Sequence, residues 1–94
     1  MIAEKYIQRL QKIIRKYLPV SENRVVLFGS ALTDCHFQDI DVGILGEKTP
    51  QKLRELKYEL EASTFPFIVD IVDLEEVDNT FLDSVLHHQK IQWI

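Results

Sequence analysis

Three carboxylates stand where a small domain has little structural use for them. Asp39 and Asp41 lie two residues apart in the run Asp39-Ile40-Asp41-Val42-Gly43-Ile44-Leu45. That run reads as a strand, so both side chains project from one face. Two carboxylates so close repel each other, and strand interiors disfavour aspartate in any case. A divalent cation compensates directly, because hard cations prefer oxygen ligands and Mg2+ often takes one or two carboxylates together with substrate phosphates. Asp70 is the third, set inside the apolar run Phe67-Ile68-Val69-Asp70-Ile71-Val72. If the two strands are neighbours, all three converge on one metal site. Each aspartate alone has an ordinary explanation: Asp39 as a turn cap, Asp70 at a frayed edge or beside a lysine. The set taken together points to bound metal.

Gly29-Ser30 directly follows the apolar run Val25-Val26-Leu27-Phe28. Glycine at such a place permits close backbone approach, and the first N–H groups of a following turn can hold phosphate oxygens. Alone this is ordinary turn chemistry. Nine residues ahead of Asp39, it becomes a phosphate cradle facing a cation site.

The elements that must position these groups follow from periodicity. Tyr6, Leu10, Ile13, Ile14, Tyr17 and Leu18 form one stripe of a helix over residues 3–18, which Pro19 ends. Arg24–Phe28 reads as a strand buried on both faces. Residues 31–38 are irregular, with room for one helical turn, and Asp39–Leu45 is a second strand that Gly46 terminates. Thr49-Pro50 opens a helix over residues 50–62 with an apolar seam at Leu53, Leu56 and Leu60. Phe67–Val72 is a third strand, Asp78-Asn79 caps a last short helix, and the tail from Lys90 to Ile94 supplies an edge strand. Strands alternating with helices predict an α/β or α+β fold, a small mixed sheet with helices packed on it, in one domain spanning residues 1–94.

Composition narrows the partners. The 94 residues carry eleven basic against fifteen acidic side chains, a net charge of −4, which argues against a general nucleic-acid binder. At 46% hydrophobic the chain is not disordered, and its short apolar runs predict no membrane span. The start, Met1-Ile2-Ala3-Glu4-Lys5-Tyr6, lacks the apolar core of a signal peptide, and the single Cys35 forms no internal disulfide. Both favour the cytoplasm. Lys5, Arg9, Lys12 and Lys16 read as a solvated helix face, Cys35-His36 as an incidental pair, and His87-His88 as a helix end. Tyr6, Tyr17, Phe81 and Trp93 read as core or interface groups. Asp73 is a second-ranked substitute for Asp70, since it falls on the opposite strand face.

Leu27-Phe28-Gly29-Ser30, the Asp39-Ile40-Asp41 triplet and Asp70 together resemble the signature of polymerase-β-type nucleotidyltransferases. The short length, the amphipathic first helix and the ending Val69-Asp70-Ile71-Val72-Asp73-Leu74 resemble their minimal nucleotidyltransferase (MNT) group. The resemblance implies the polymerase-β-like nucleotidyltransferase fold. It also implies transfer of a nucleoside monophosphate, AMP from ATP in the first instance, onto a hydroxyl with two Mg2+ ions. Gly29 and Ser30 would bind the β- and γ-phosphates, Asp39 and Asp41 both metals, and Asp70 would complete the catalytic site and help activate the hydroxyl. Many MNT proteins pair with a helical HEPN-type toxin, and some are antitoxins that adenylylate a tyrosine of it. The chain departs from the family run G-S-x-A-x-G: Asp34 stands at the second glycine, the usual arginines are missing, and Gln38 replaces a serine. This keeps open a second reading, a nucleotide-binding or neutralising subunit with weak catalysis. A stand-alone transferase for a small hydroxyl compound such as an aminoglycoside ranks lowest, since this chain offers no second domain to close over it.

Overall fold

The computed structural model describes residues 1–94. The first apolar stripe forms helix α1 (Glu4–Arg15), shorter than its periodicity suggested because Lys16 to Leu18 turn away toward Pro19. Ile7, Leu10 and Ile14 are its buried side, and Ile7 lay outside the stripe read from sequence. Arg15 explains why the helix can stop here. Its Nη1 donates to the carbonyls of Leu18 and Asn23 at 3.0 and 2.9 Å, and its Nη2 to that of Ile94 at 2.6 Å. One guanidinium thus ties the helix end to the first strand and the C-terminal tail.

Four strands, β1 (Asn23–Phe28), β2 (Asp39–Gly46), β3 (Ile68–Asp73) and β4 (Gln92–Trp93), make one sheet in the order β3-β2-β1-β4. β1 runs antiparallel to β2, and a 3-10 turn at Ser30–Leu32 lies between them. Helix α2 (Pro50–Ala62) starts where Thr49 Oγ1 accepts from the Lys52 N–H at 3.1 Å. It carries the chain over to β3, which lies parallel to β2 at the sheet's edge. Helix α3 (Asn79–His87) is capped by Asp78, whose Oδ1 accepts from the Phe81 N–H at 2.8 Å. The tail contributes only β4, beside β1.

The sheet therefore has helices on both faces. α1 and α2 cover one, with Leu10, Ile14, Leu56 and Leu60 against Val25, Leu27, Ile40, Val42 and Ile44. α3 covers part of the other, with Val85 against Val26, Phe28 and Leu74. Successive residues of β2 alternate between these faces. Ile40, Val42 and Ile44 fill the larger core, so Asp39, Asp41 and Gly43 must face the α3 side. No helix is long and apolar enough to cross a membrane.

Candidate active site

The register of the sheet puts the three aspartates together on one face. Asp41 is the direct partner of Asp70 across the parallel β2–β3 pair, and of Phe28 across the antiparallel β1–β2 pair. Paired residues share a sheet face, with strands about 4.8 Å apart. Asp39 stands one pleat before Asp41, opposite Ile68. On this face α3 packs with Val26, Phe28, Val72 and Leu74, and Phe81 meets Phe28 edge-on with ring centroids 6.2 Å apart. The carboxylates are left open: Asp39 and Asp70 are exposed and Asp41 half-buried.

None of the three is in an ion pair. Burial pushes the Asp41 carboxyl above its ordinary range, and the neighbouring negative charges of Asp70 and Asp39 push it further. Side chains of this kind fit a hard cation, which would relieve both effects. No group of three or more His, Cys, Asp or Glu residues is placed to hold a metal ion, so the three aspartates share a sheet face without converging on one point. Mg2+ does not need such a group, since it is usually held by one or two carboxylates with waters and substrate phosphates completing its shell.

Gly29 borders the same carboxylate. Its φ of 82° and ψ of −161° belong to a region only glycine occupies, and a Cβ there would overlap Asp41 Oδ2. The chain thus crosses directly over Asp41 before entering the 3-10 turn. The Leu32 and Thr33 N–H groups donate back to the Gly29 and Ser30 carbonyls at 3.2 and 3.1 Å. The Ser30 and Ala31 N–H groups precede these bonds, where the first donors of a helical turn have no partner within it. Ser30 itself is exposed.

The departures from the family run find a local account. Asp34 does not take a left-handed backbone, because no residue but glycine has positive φ in this structure. Asp34 instead closes a wider turn that follows the 3-10 turn, its N–H donating to the Ser30 carbonyl four residues back at 2.8 Å. The Asp34 carboxylate accepts from the His36 N–H at 2.9 Å, which occupies it within its own loop.

Other residues singled out from the sequence lie elsewhere. Asp73 faces the larger core beside Ile44 and pairs with Lys48 Nζ at 2.9 Å, so it does not join Asp70. Of the basic stripe on α1, Lys16 pairs with Glu59 at 2.6 Å and Arg9 lies over the Phe65 ring at 5.5 Å. Cys35 is exposed. Trp93 stacks under Arg24 at 4.2 Å. Sequence reasoning missed Lys57 and Glu61. With Leu60 they line an open groove of about 830 Å³ along β3 that takes in Asp41 and Asp70. Their i, i+4 spacing on α2 was visible, but not which way it faced.

Residues 8–92 match the family model described as Polymerase beta, Nucleotidyltransferase. Among solved structures, a chain from the crystal structure of a mutant of the toxin-antitoxin MntA-HpeT is similar, with a TM-score of 0.72 and 26% identity. The match covers 100% of this chain and 72% of that one. No curated protein matches.

Proposed function

This chain belongs to the polymerase-β nucleotidyltransferase family, within its minimal group, and from that premise we propose that it transfers AMP from ATP to a hydroxyl of a partner protein. The observation that carries this reading is the row Phe28–Asp41–Asp70 across three strands, with Asp39 beside it and Gly29 above it. Asp39 and Asp41 would hold Mg2+, with Asp70 completing the set at the catalytic ion. The bound cations would supply neutralisation of charge on the α-phosphate and on departing pyrophosphate.

The chain's own residues do the positioning. Gly29 lets backbone approach the β- and γ-phosphates, and the free N–H groups of the Ser30 turn, with the Ser30 hydroxyl, donate to their oxygens. Asp70 lies toward the open edge of the sheet, so an acceptor entering from that side meets its carboxylate first. The acceptor oxygen forms a bond to the α-phosphorus, and the bond from that phosphorus to the bridging oxygen breaks. The hydroxyl proton passes to Asp70 or to water, and pyrophosphate leaves with the electron pair. Holding the groups in line supplies most of what the reaction needs, which is within reach of a chain this small.

The partner in this reading is a HEPN-type helical toxin, silenced by adenylylation, so that the chain acts as an antitoxin. Its similarity to a chain of a toxin-antitoxin structure supports this. Incubation with labelled ATP, Mg2+ and the product of the neighbouring gene tests it. The wild-type protein is expected to label that product, and the Asp39→Asn, Asp41→Asn protein to leave it unlabelled. Absence of labelling by wild type, with neutralisation in cells intact in the double variant, would instead favour the neutralising subunit. Asp34 gives that second reading its support, standing as a carboxylate where the family has glycine.

A further inference from the structure

β3 is the longer of the two edge strands of the sheet. It pairs with β2 on one side only, so alternate residues from Ile68 to Asp73 direct N–H and C=O groups at solvent. Natural edge strands are usually blunted by charged side chains, proline or a bulge. Ile68-Val69-Asp70-Ile71-Val72-Asp73 has no lysine, proline or bulge, and its only charges are Asp70, which belongs to the site, and Asp73, which pairs with Lys48. Ile68 is 64% exposed at its start. The groove noted above follows this edge from Phe65 to Val72, with Lys57, Leu60 and Glu61 of α2 overhanging it.

From this geometry we propose that the acceptor is presented as an extended segment of the partner protein, added as a fifth strand to the β3 edge. The proposal rests on the nucleotidyl-transfer reading and names how its second substrate binds. A residue paired opposite Asp70 projects from the same sheet face as Asp70, with Cβ atoms about 4.5–5.5 Å apart. Its hydroxyl then extends the row Phe28–Asp41–Asp70 by one place. The residues on either side of it turn to the other face, where Leu60 offers an apolar contact. The matching segment is a hydroxyl residue between two apolar ones. Without bound cations Asp41, Glu61 and Asp70 outnumber Lys57 along the groove, and with them Glu61 and Lys57 balance, so a neutral or basic segment suits both states and an acidic one does not. The same charges disfavour a second copy of this chain as the occupant. Antiparallel pairing of β3 with β3 about its middle would bring two Asp70 carboxylates together.

A synthetic peptide, acetyl-Lys-Val-Leu-Tyr-Val-Lys-amide, tests the edge without perturbing the fold. Amide hydrogen exchange in residues 68–73 is expected to slow when it binds. N-methylation of one alternate set of its residues should weaken binding about tenfold or more, and of the other set hardly at all, because only one set donates to β3. Replacing its tyrosine by phenylalanine should leave binding intact and abolish label transfer from MgATP. Equal effects of the two N-methyl sets, no binding up to about 1 mM, or dimerisation of the protein through β3 would each overturn the proposal. So would labelling of the partner with β3 exchange unchanged, which leaves nucleotidyl transfer standing. Slowed β3 exchange with the alternating pattern, but no label on peptide or partner, would support edge docking and refute the transfer reading.

Discussion

Gly29 lies directly against the carboxylate of Asp41: a Cβ built on the glycine would overlap Asp41 Oδ2 and sit 3.2 Å from its Cγ. The glycine-serine turn and the Asp41 carboxylate are therefore one packed unit, although they lie twelve positions apart in sequence.

Gly29→Ala is expected to damage both parts at once. Its backbone region is closed to other residues, at a cost of about 1–3 kcal/mol, and the methyl group would displace Asp41. Thermal melting should show the lost stability. Nucleotide titration of protein that remains folded should show weakened ATP binding.

Asp39→Asn with Asp41→Asn should separate activity from stability. Transfer is expected to fall by about 100-fold or more, since several kcal/mol of charge stabilisation are lost. In metal-free buffer the variant should melt no lower than wild type, since solvent screens these charges and only the sign of their repulsion is decisive. Burial and repulsion from Asp70 and Asp39 oppose the charged form of Asp41, and asparagine removes that charge. A lower melting temperature would contradict the unpaired state of these carboxylates.

Lys48 anchors the far end of β2 and β3. Its side chain is 7% exposed, and Nζ meets Asp73 at 2.9 Å and Glu75 at 2.7 Å. Lys48→Met should cost about 1–3 kcal/mol, between the values for exposed and buried pairs. Asp73 is three residues, about 10 Å, beyond Asp70 along the strand, so transfer by the folded variant should be unchanged. Urea unfolding alongside a labelling assay checks both.

The same cluster gives stability a defined pH window. Hydrogen bonds from Lys48 and then the Gly46 N–H hold the Glu75 carboxyl below its ordinary 4.5. A lowered acid stabilises fully above that value, and its contribution is lost as pH falls through the folded-state pKa. Burial pulls the Lys48 ammonium down, but its hydrogen bonds to Glu75 and Asp73 outweigh this and leave it above 10.5. A raised base stabilises fully below that value and loses its contribution as pH rises through the folded-state pKa. The stability gap between wild type and Glu75→Gln should therefore hold between about pH 4.5 and 10.5 and shrink on either side. Melting curves across pH measure it.

Most elements were legible in the chain because their signals are local. Thr49-Pro50 and Asp78 cap helices where they stand, and the β-branched runs around Val26, Ile40 and Ile71 form strands. The misreadings lie at boundaries that distant contacts decide. The helical stripe to Leu18 is cut at Arg15, whose guanidinium binds the carbonyl of Ile94 from the far end of the chain. The acidic residues could be grouped by spacing, and Asp73 set apart from Asp70 by strand parity. No spacing rule, however, identifies Lys48 as the partner of Asp73.

Residue types and strand parity, and hence the shared face of Asp39 and Asp41 with the glycine-serine turn ahead of them, are local properties that can be read along the chain. The parallel placement of β3 beside β2 with Asp70 opposite Asp41, and the open edge of β3, arise in the assembled sheet. Side-chain alternation is a property of a single strand. Register and neighbour order depend on how α2 carries the chain over and on which apolar faces close the two cores.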